Sequence, residues 1–430
     1  MRSFRFKRLV SLWATVSISI LVVFLFSFLV VAPAHSTFKA SPTVAVFNEV
    51  WQKVNDNFYD PRFNGVDWKA IREKYSPWIK QTKSQDEASA VINQMLSELN
   101  TSHTHFYTKS EPAYYQLLGI FNNRSFLSEI KKFFPDGNLE YTGIGVFTKE
   151  SNGKIFITAI LDGSPAALAG LKVGDQILTI DGNKYQPIQS FVDKAGKEVK
   201  VSIQQTSDSS SLKNIIVIPK KLNPNTMFLE AMRTSIEIIE REGKKLGYVH
   251  VWSYAGDQYQ QLLVEELTYG KLKQVDGLLL DLKDGWGGAT PNYLNIFTAK
   301  VPTLTEVGRR GRITTEYQWK KPVVMIVNHG TRSGKEILAY GFKQYDIGAV
   351  VGTKTAGAVL GGSPFLLQDS SLLYLAVVDV FVNGERLEGK GVTPDIEAPF
   401  EVEYAQGKNP QKERAIEVLV AAIRNQGRAT

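Results

Sequence analysis

An apolar run, Pro322 to Val327, ends at Asn328-His329-Gly330-Thr331-Arg332, and Ser333-Gly334-Lys335-Glu336 then opens a helical pattern. A serine at such a strand-to-helix turn stands at the carboxyl end of a sheet, where α/β sites form. The helix start offers N–H groups and a positive dipole to a developing oxyanion. Ser333 is therefore a candidate nucleophile. The same residues also fit a plain helix cap, with Glu336 completing a capping box. A second apolar strand ends at Asp281-Leu282-Lys283-Asp284-Gly285-Trp286-Gly287-Gly288. Its adjacent glycines leave backbone N–H groups free to approach a ligand, a weak signal when taken alone.

The elements that must position these turns fall into three zones. From about 43 to 119 the chain reads as helical. Val46, Val50, Trp51, Val54 and Phe58 recur at three- and four-residue spacing, and Asp60-Pro61 closes the pattern. Trp68 to Ile79 and Asp86 to Leu99 form two further amphipathic helices, the second opened by Ser84-x-x-Glu87. From about 141 to 220 short strands and turns follow. Ile155 to Ile160 is β-rich, Ser164-Pro165-Ala166-Ala167 starts a short helix, and Gln176 to Ile180 runs into an Asp181-Gly182 hairpin turn. From about 223 to 400 strands alternate with helices, which implies an α/β core with crossovers. Its strands are Leu246 to Val251, Val275 to Leu282, Pro322 to Val327 and Ala349 to Val351, with Leu372 to Val382 continuing the sheet. Gln411 to Arg424 reads as a closing helix.

Composition bounds the function. The 430 residues suggest two to three domains. The chain has no cysteine, which removes disulfides, thiolate metal sites and cysteine nucleophiles. Its net charge of +7 includes Arg2, Arg5, Lys7 and Arg8, and without these four 46 basic residues face 43 acidic ones. Nucleic-acid binding loses its main support. After the basic cluster, Leu9 to Val31 is free of charge and mostly apolar, and Ala32-Pro33-Ala34 follows with the form of a signal-peptidase site. A cleaved signal is the favoured reading. The run is also long enough to span a bilayer, so an uncleaved anchor and membrane attachment stay open. Both readings place the body of the protein outside the cytoplasm, in a periplasm, a lumen or the secreted state.

The zone around Gly143-Ile144-Gly145-Val146 and Ser164 to Gly182 resembles a PDZ domain of the bacterial protease-associated type. In such domains the N–H groups of that loop receive a peptide carboxylate, and the peptide adds a strand to the sheet edge. Taken with Leu99-Asn100-Thr101-Ser102-His103-Thr104, the two turns above, Gly352 to Gly357 and Glu388 to Ile396, the whole order resembles the carboxy-terminal processing, or tail-specific, peptidases. The resemblance implies a multidomain α+β chain. Residues 37–120 form a helical region, 121–222 a PDZ domain, and 223–430 an α/β peptidase core of the ClpP/crotonase-like kind. It implies no metal and no organic cofactor, and polypeptide substrates.

On that alignment Ser333 is the nucleophile. The best-known members pair it with a lysine directly after the glycine that matches Gly357, and here Ala358 stands there. Lys335 lies about 200° around the helix from Ser333 and points away, and Lys354 needs a shifted loop. Tricorn-type core peptidases, a second branch, resemble the chain at Ser102-His103. There the histidine is general base and is held by the serine and a late glutamate, a place taken here by Glu388. His105 is the other histidine in range. The base is expected to titrate near its ordinary 6.5. Backbone N–H groups of Gly287 or Gly288 and of Gly334 supply the oxyanion site. The absent lysine also fits a catalytically inactive peptide-binding scaffold, and a ligand carrier on the same core is a third class.

Overall fold

A computed structural model describes residues 42–121, 124–298, 304–309, 311–315 and 318–429. The Leu9 to Val31 run, with its signal or anchor reading, lies outside these residues. Among the described residues no helix is long and apolar enough to cross a membrane.

Three helices open the described chain: Pro42–Asn57, Trp68–Ile79 and Gln85–Ser97. Their apolar stripes meet, with Val46, Val50 and Val54 packing on Tyr75, Ile79, Ile92 and Met95. Trp51 and Trp68 donate their indole N–H groups to each other's backbone carbonyls, locking the first two helices. The Ser84 hydroxyl accepts from the Glu87 N–H at 3.1 Å, as the capping pattern predicts. A short strand that the sequence pattern did not reveal, His105–Tyr107, follows. It pairs antiparallel with Leu372–Val378, which also pairs with Gly361–Leu366. This corrects the expectation that Leu372 to Val382 continues the main sheet. The three-stranded sheet ties the helical region to the chain that follows the Ser333 turn.

The β-domain carries the strands Val146–Ser151, Lys154–Ile160, Gln176–Ile180, Val199–Gln204 and Leu212–Val217 in that spatial order. Val146–Ser151 is an edge strand of this path. Ser164 caps the helix Pro165–Leu168 by accepting from the Ala167 N–H. Gly145, at φ +79°, lies so close to Ser164 that a Cβ would collide with its side chain.

The core sheet has six strands: Glu237–Arg241, Lys244–His250, Gly277–Asp281, Val323–Val327, Val350–Gly352 and Ile396–Glu397. The first pair is antiparallel and the rest are parallel. Alternation explains the unbroken apolar run at 323–327. Val323, Met325 and Val327 pack toward the helices Asp257–Thr268 and Gly334–Gln344, while Val324 and Ile326 pack toward the helix Pro410–Ala429. The turns after Asp281 and Val327 therefore emerge side by side at the carboxyl end of adjacent parallel strands.

Candidate active site

Ser333 sits at φ +57°, ψ −131°, a conformation that non-glycine residues adopt only when surrounding structure imposes it. The clamp is visible. The Ser333 N–H donates to the Ala358 carbonyl at 2.8 Å and to the Glu336 carboxylate at 3.1 Å. Glu336 is fully buried, and it also accepts from the Thr355 hydroxyl and from the N–H groups of Gly357 and Ala358, at 2.6 to 2.8 Å. One carboxylate thus joins the first helical turn to the 355–358 loop. Burial raises its pKa against the pull of these donors. Glu336 therefore does more than complete a cap, and this role was not readable from local sequence.

The glycine turn packs against Ser333 at backbone distance. A Cβ on Gly287 would meet the Ser333 Cβ at 2.5 Å, one on Gly334 would enter the Ala289 backbone, and Gly288 sits at φ +103°. The N–H groups of Gly287, Gly288 and Gly334 donate to no other group among the described residues. Donors left open beside a serine hydroxyl are the geometry that an oxyanion site requires.

His103 reaches the same place from the other side. It follows Ser102 and precedes the strand that pairs with Leu372–Val378, and it has φ +55°. The Ser102 Oγ lies 2.7 Å from His103 Nδ1 and 2.9 Å from Glu388 Oε2. Glu388 also accepts from the Ser102 N–H at 2.9 Å and the Val359 N–H at 2.7 Å. A hydroxyl has one proton. With that proton on Glu388, Ser102 Oγ must accept from Nδ1–H, which leaves Nε2 as the lone-pair nitrogen. Ser102, His103, Gly287, Gly288, Ser333 and Ala358 line one cleft of about 510 Å³. Glu388 lies behind it and acts on the cleft through Ser102.

The expected His103 pKa needs correction. Burial, aided by the Arg332 guanidinium, pushes it down to about 4. The lysines are placed elsewhere. Lys335 is fully buried and donates from Nζ to the Asp284 carbonyl at 2.7 Å, and its burial lowers its pKa to about 7. Lys354 is exposed and Ala358 faces the cleft. His105 also lines the cleft, 3.9 Å from Glu111, whereas His250 is buried against the Lys283 carbonyl and His329 is exposed.

Beneath the glycine turn lies a buried polar cluster that the sequence did not suggest. Burial would raise the pKa of Asp281, but Lys283, His250 and the Lys283 N–H and Tyr248 hydroxyl donors hold it down at about 2. The Gly143 to Val146 loop stands apart from the cleft. About 20 Å³ is open within it, against Pro112, Gln116 and Met227, while Val146, Phe147 and Thr148 face a larger cavity of about 450 Å³ that Trp286 and Arg332 also line.

Comparison with known proteins agrees with this architecture. Residues 245–398 match peptidase family S41, residues 45–97 the Tricorn protease C1 domain and residues 156–204 a PDZ domain. The S41 span contains Ser333, the glycine turn and Glu388, while Ser102 and His103 lie just beyond the C1 match. The chain is 25% identical over 394 residues to a carboxyl-terminal-processing protease of Synechocystis, covering 87% of this chain and 86% of that protein. It is 25% identical over 396 residues to Tricorn protease homolog 1 of Streptomyces coelicolor, covering 88% of this chain and 35% of that protein. In fold it is similar to the tricorn protease crystal structure, with TM-score 0.53 and 20% identity over 89% of this chain and 37% of that one. Mature CPAF matches with TM-score 0.50 and 12% identity over 90% of this chain and 98% of that one.

Proposed function

We propose that this chain is an exported serine endopeptidase that cleaves polypeptides by a Ser–His mechanism. The observation that carries the reading is the Glu388–Ser102–His103 relay, which ends in the cleft that holds Ser333 while no lysine of the described residues lines that cleft. His103 Nε2 takes the Ser333 hydroxyl proton as Oγ attacks the scissile carbonyl. Gly287 or Gly288 and Gly334 donate N–H groups to the oxyanion. The imidazolium then protonates the leaving amine, and the acyl-serine is hydrolysed by water that His103 deprotonates in turn. Ser102 and Glu388 hold the imidazole tautomer and favour its charged form.

Four segments divide the work: a signal or anchor at 1–36, a helical region at 37–120, a PDZ domain at 121–222 and the peptidase core at 223–430. The edge strand Val146–Ser151 and the Gly143 to Val146 loop take an extended segment or a free C-terminus. A cavity of about 450 Å³ along Val146, Phe147 and Thr148 gives that edge room for a peptide, whereas the loop itself encloses about 20 Å³. The Leu9 to Val31 run carries the export.

Hydrolysis of an unfolded polypeptide by the wild type and not by Ser333→Ala tests the activity. The second reading, an inactive peptide-binding scaffold, rests on Ala358 at the position of the usual lysine. Peptide binding with no cleavage and no acylation of Ser333 supports that reading.

A further inference from the structure

The residue before the nucleophile carries a charge that the fold leaves without an answer. Arg332 is half-buried, and its Nε atom is buried with no hydrogen-bond partner among the described residues. Its guanidinium lies 5.5 Å from the centre of the Trp286 ring, a face that supports a cation without neutralising it. Trp286 is itself fixed, donating from Nε1 to Gln116 Oε1 at 2.9 Å. The two acids on that side each have another partner. Asp284 Oδ1 accepts from the Asn328 amide at 3.0 Å, Glu111 Oε1 accepts from the Thr108 N–H at 2.9 Å, and neither forms an ion pair with Arg332 among the described residues. Arg332 is the one arginine, lysine, aspartate or glutamate on the wall of the Ser333 cleft among those residues. It also lines the neighbouring cavity that runs toward Phe147 of the β-domain.

A half-buried guanidinium without a counter-ion is costly, and its fork of donors suits a carboxylate held by two bonds. We infer that Arg332 forms an anionic subsite beside the nucleophile, which takes a carboxylate of the bound polypeptide. One stretch of the cleft wall, Leu117, Ile120, Phe121 and Leu360, is apolar, so the preferred segment combines apolar side chains with one carboxylate near the scissile bond. Bound there, the carboxylate also offsets the cation that opposes a charge on His103. A glutamate or aspartate side chain and a free C-terminus share this chemistry.

The inference rests on the peptidase reading for its place in the reaction, so binding and turnover are measured separately. Amidated peptides of one apolar sequence carry Glu or its Gln twin at successive positions, and one neutral peptide has either a free or an amidated C-terminus. Affinity is read on full-length Ser333→Ala and kcat/KM on the wild type. A carboxylate at one position is expected to tighten binding about tenfold or more, the scale of a charge-assisted bidentate bond, with a matching rise in kcat/KM. Arg332→Gln removes the difference in both assays, and Arg332→Lys, which keeps a cation, restores part of it. An Arg332-dependent gain confined to the Glu peptides assigns the side chain, and one confined to the free C-terminus assigns the terminal carboxylate. Equal affinities for all twins, or a preference that survives Arg332→Gln, overturns the inference. A preference in binding without turnover of any peptide leaves the subsite standing and defeats the peptidase reading.

Discussion

Ser102 and Glu388 are 286 residues apart in the chain and are joined twice, through the Ser102 N–H to Oε1 and the Ser102 hydroxyl to Oε2, each at 2.9 Å. The double contact fixes both the backbone and the side chain of the residue that holds His103. His103→Ala is expected to lower kcat by a factor on the order of 10³ to 10⁴. Ser102→Ala and Glu388→Gln should lower it less, because they orient the imidazole without taking the substrate proton. Steady-state kinetics on one peptide substrate check the order. A Glu388→Gln defect as large as that of His103→Ala would contradict it.

The depressed His103 pKa sets the pH dependence. The imidazole of the folded protein stays neutral until about pH 4. On the proposed mechanism it can therefore accept the Ser333 proton across neutral pH, and kcat/KM should fall only as the pH drops toward that value. The sign for stability is the same. The unfolded chain binds a proton to this histidine near its ordinary 6.5 and the folded chain does not, so stability is present above that pH and declines as pH falls toward 4. An acid limb that stays near 6 to 7 in the Arg332→Gln variant and in the wild type alike would show that neither burial nor Arg332 acts on the base.

Gly287→Ala tests the packing of the proposed oxyanion turn. Its new methyl would press on the Ser333 Cβ, and relief requires the turn to move. The expected loss is on the order of 10² to 10³ in kcat, the scale of one lost oxyanion donor. Peptide affinity measured in parallel separates this from unfolding, because an unfolded chain presents no cleft to the peptide.

Lys335→Met tests the buried amine beneath the same turn. Its removal leaves the Asp284 carbonyl without its 2.7 Å donor, at a cost of about 1–3 kcal/mol. It also removes a titration. Lys335 releases its proton near pH 7 in the folded protein and near its ordinary 10.4 in the unfolded chain, so the wild type gains stability as pH rises through that window. Urea unfolding from pH 7 to 10 should show this slope in the wild type and a flatter one in the variant. Equal slopes would place the proton elsewhere.

Much of the site was legible because its signals are local. The strand-turn-helix at Ser333, the paired glycines at 287 and 288 and the Ser102-His103 pair each occupy a few adjacent residues. What escaped is set by contacts between distant segments. The strand His105–Tyr107 is only three residues long and is defined by its pairing with Leu372 to Tyr374, so no periodicity announces it. Leu372–Val378 reads as one more core strand until that pairing draws it into a separate sheet. The clamp from Glu336 to Thr355, Gly357 and Ala358, the Asp281–Lys283–His250 cluster and the unpaired Arg332 share this origin. Charges gain meaning from burial and partners, and neither is written in the neighbouring residues.

In the proposed mechanism His103 activates Ser333. A serine-directed acylating probe, followed by intact mass and peptide mapping, tests it most directly. The wild type is expected to gain one adduct, located on Ser333, at a rate that falls with pH toward 4. His103→Ala should slow this labelling by two orders of magnitude or more, and Ser333→Ala should abolish it. Labelling that proceeds at the wild-type rate in His103→Ala but stops in Lys335→Met would contradict the account and return the base to a lysine.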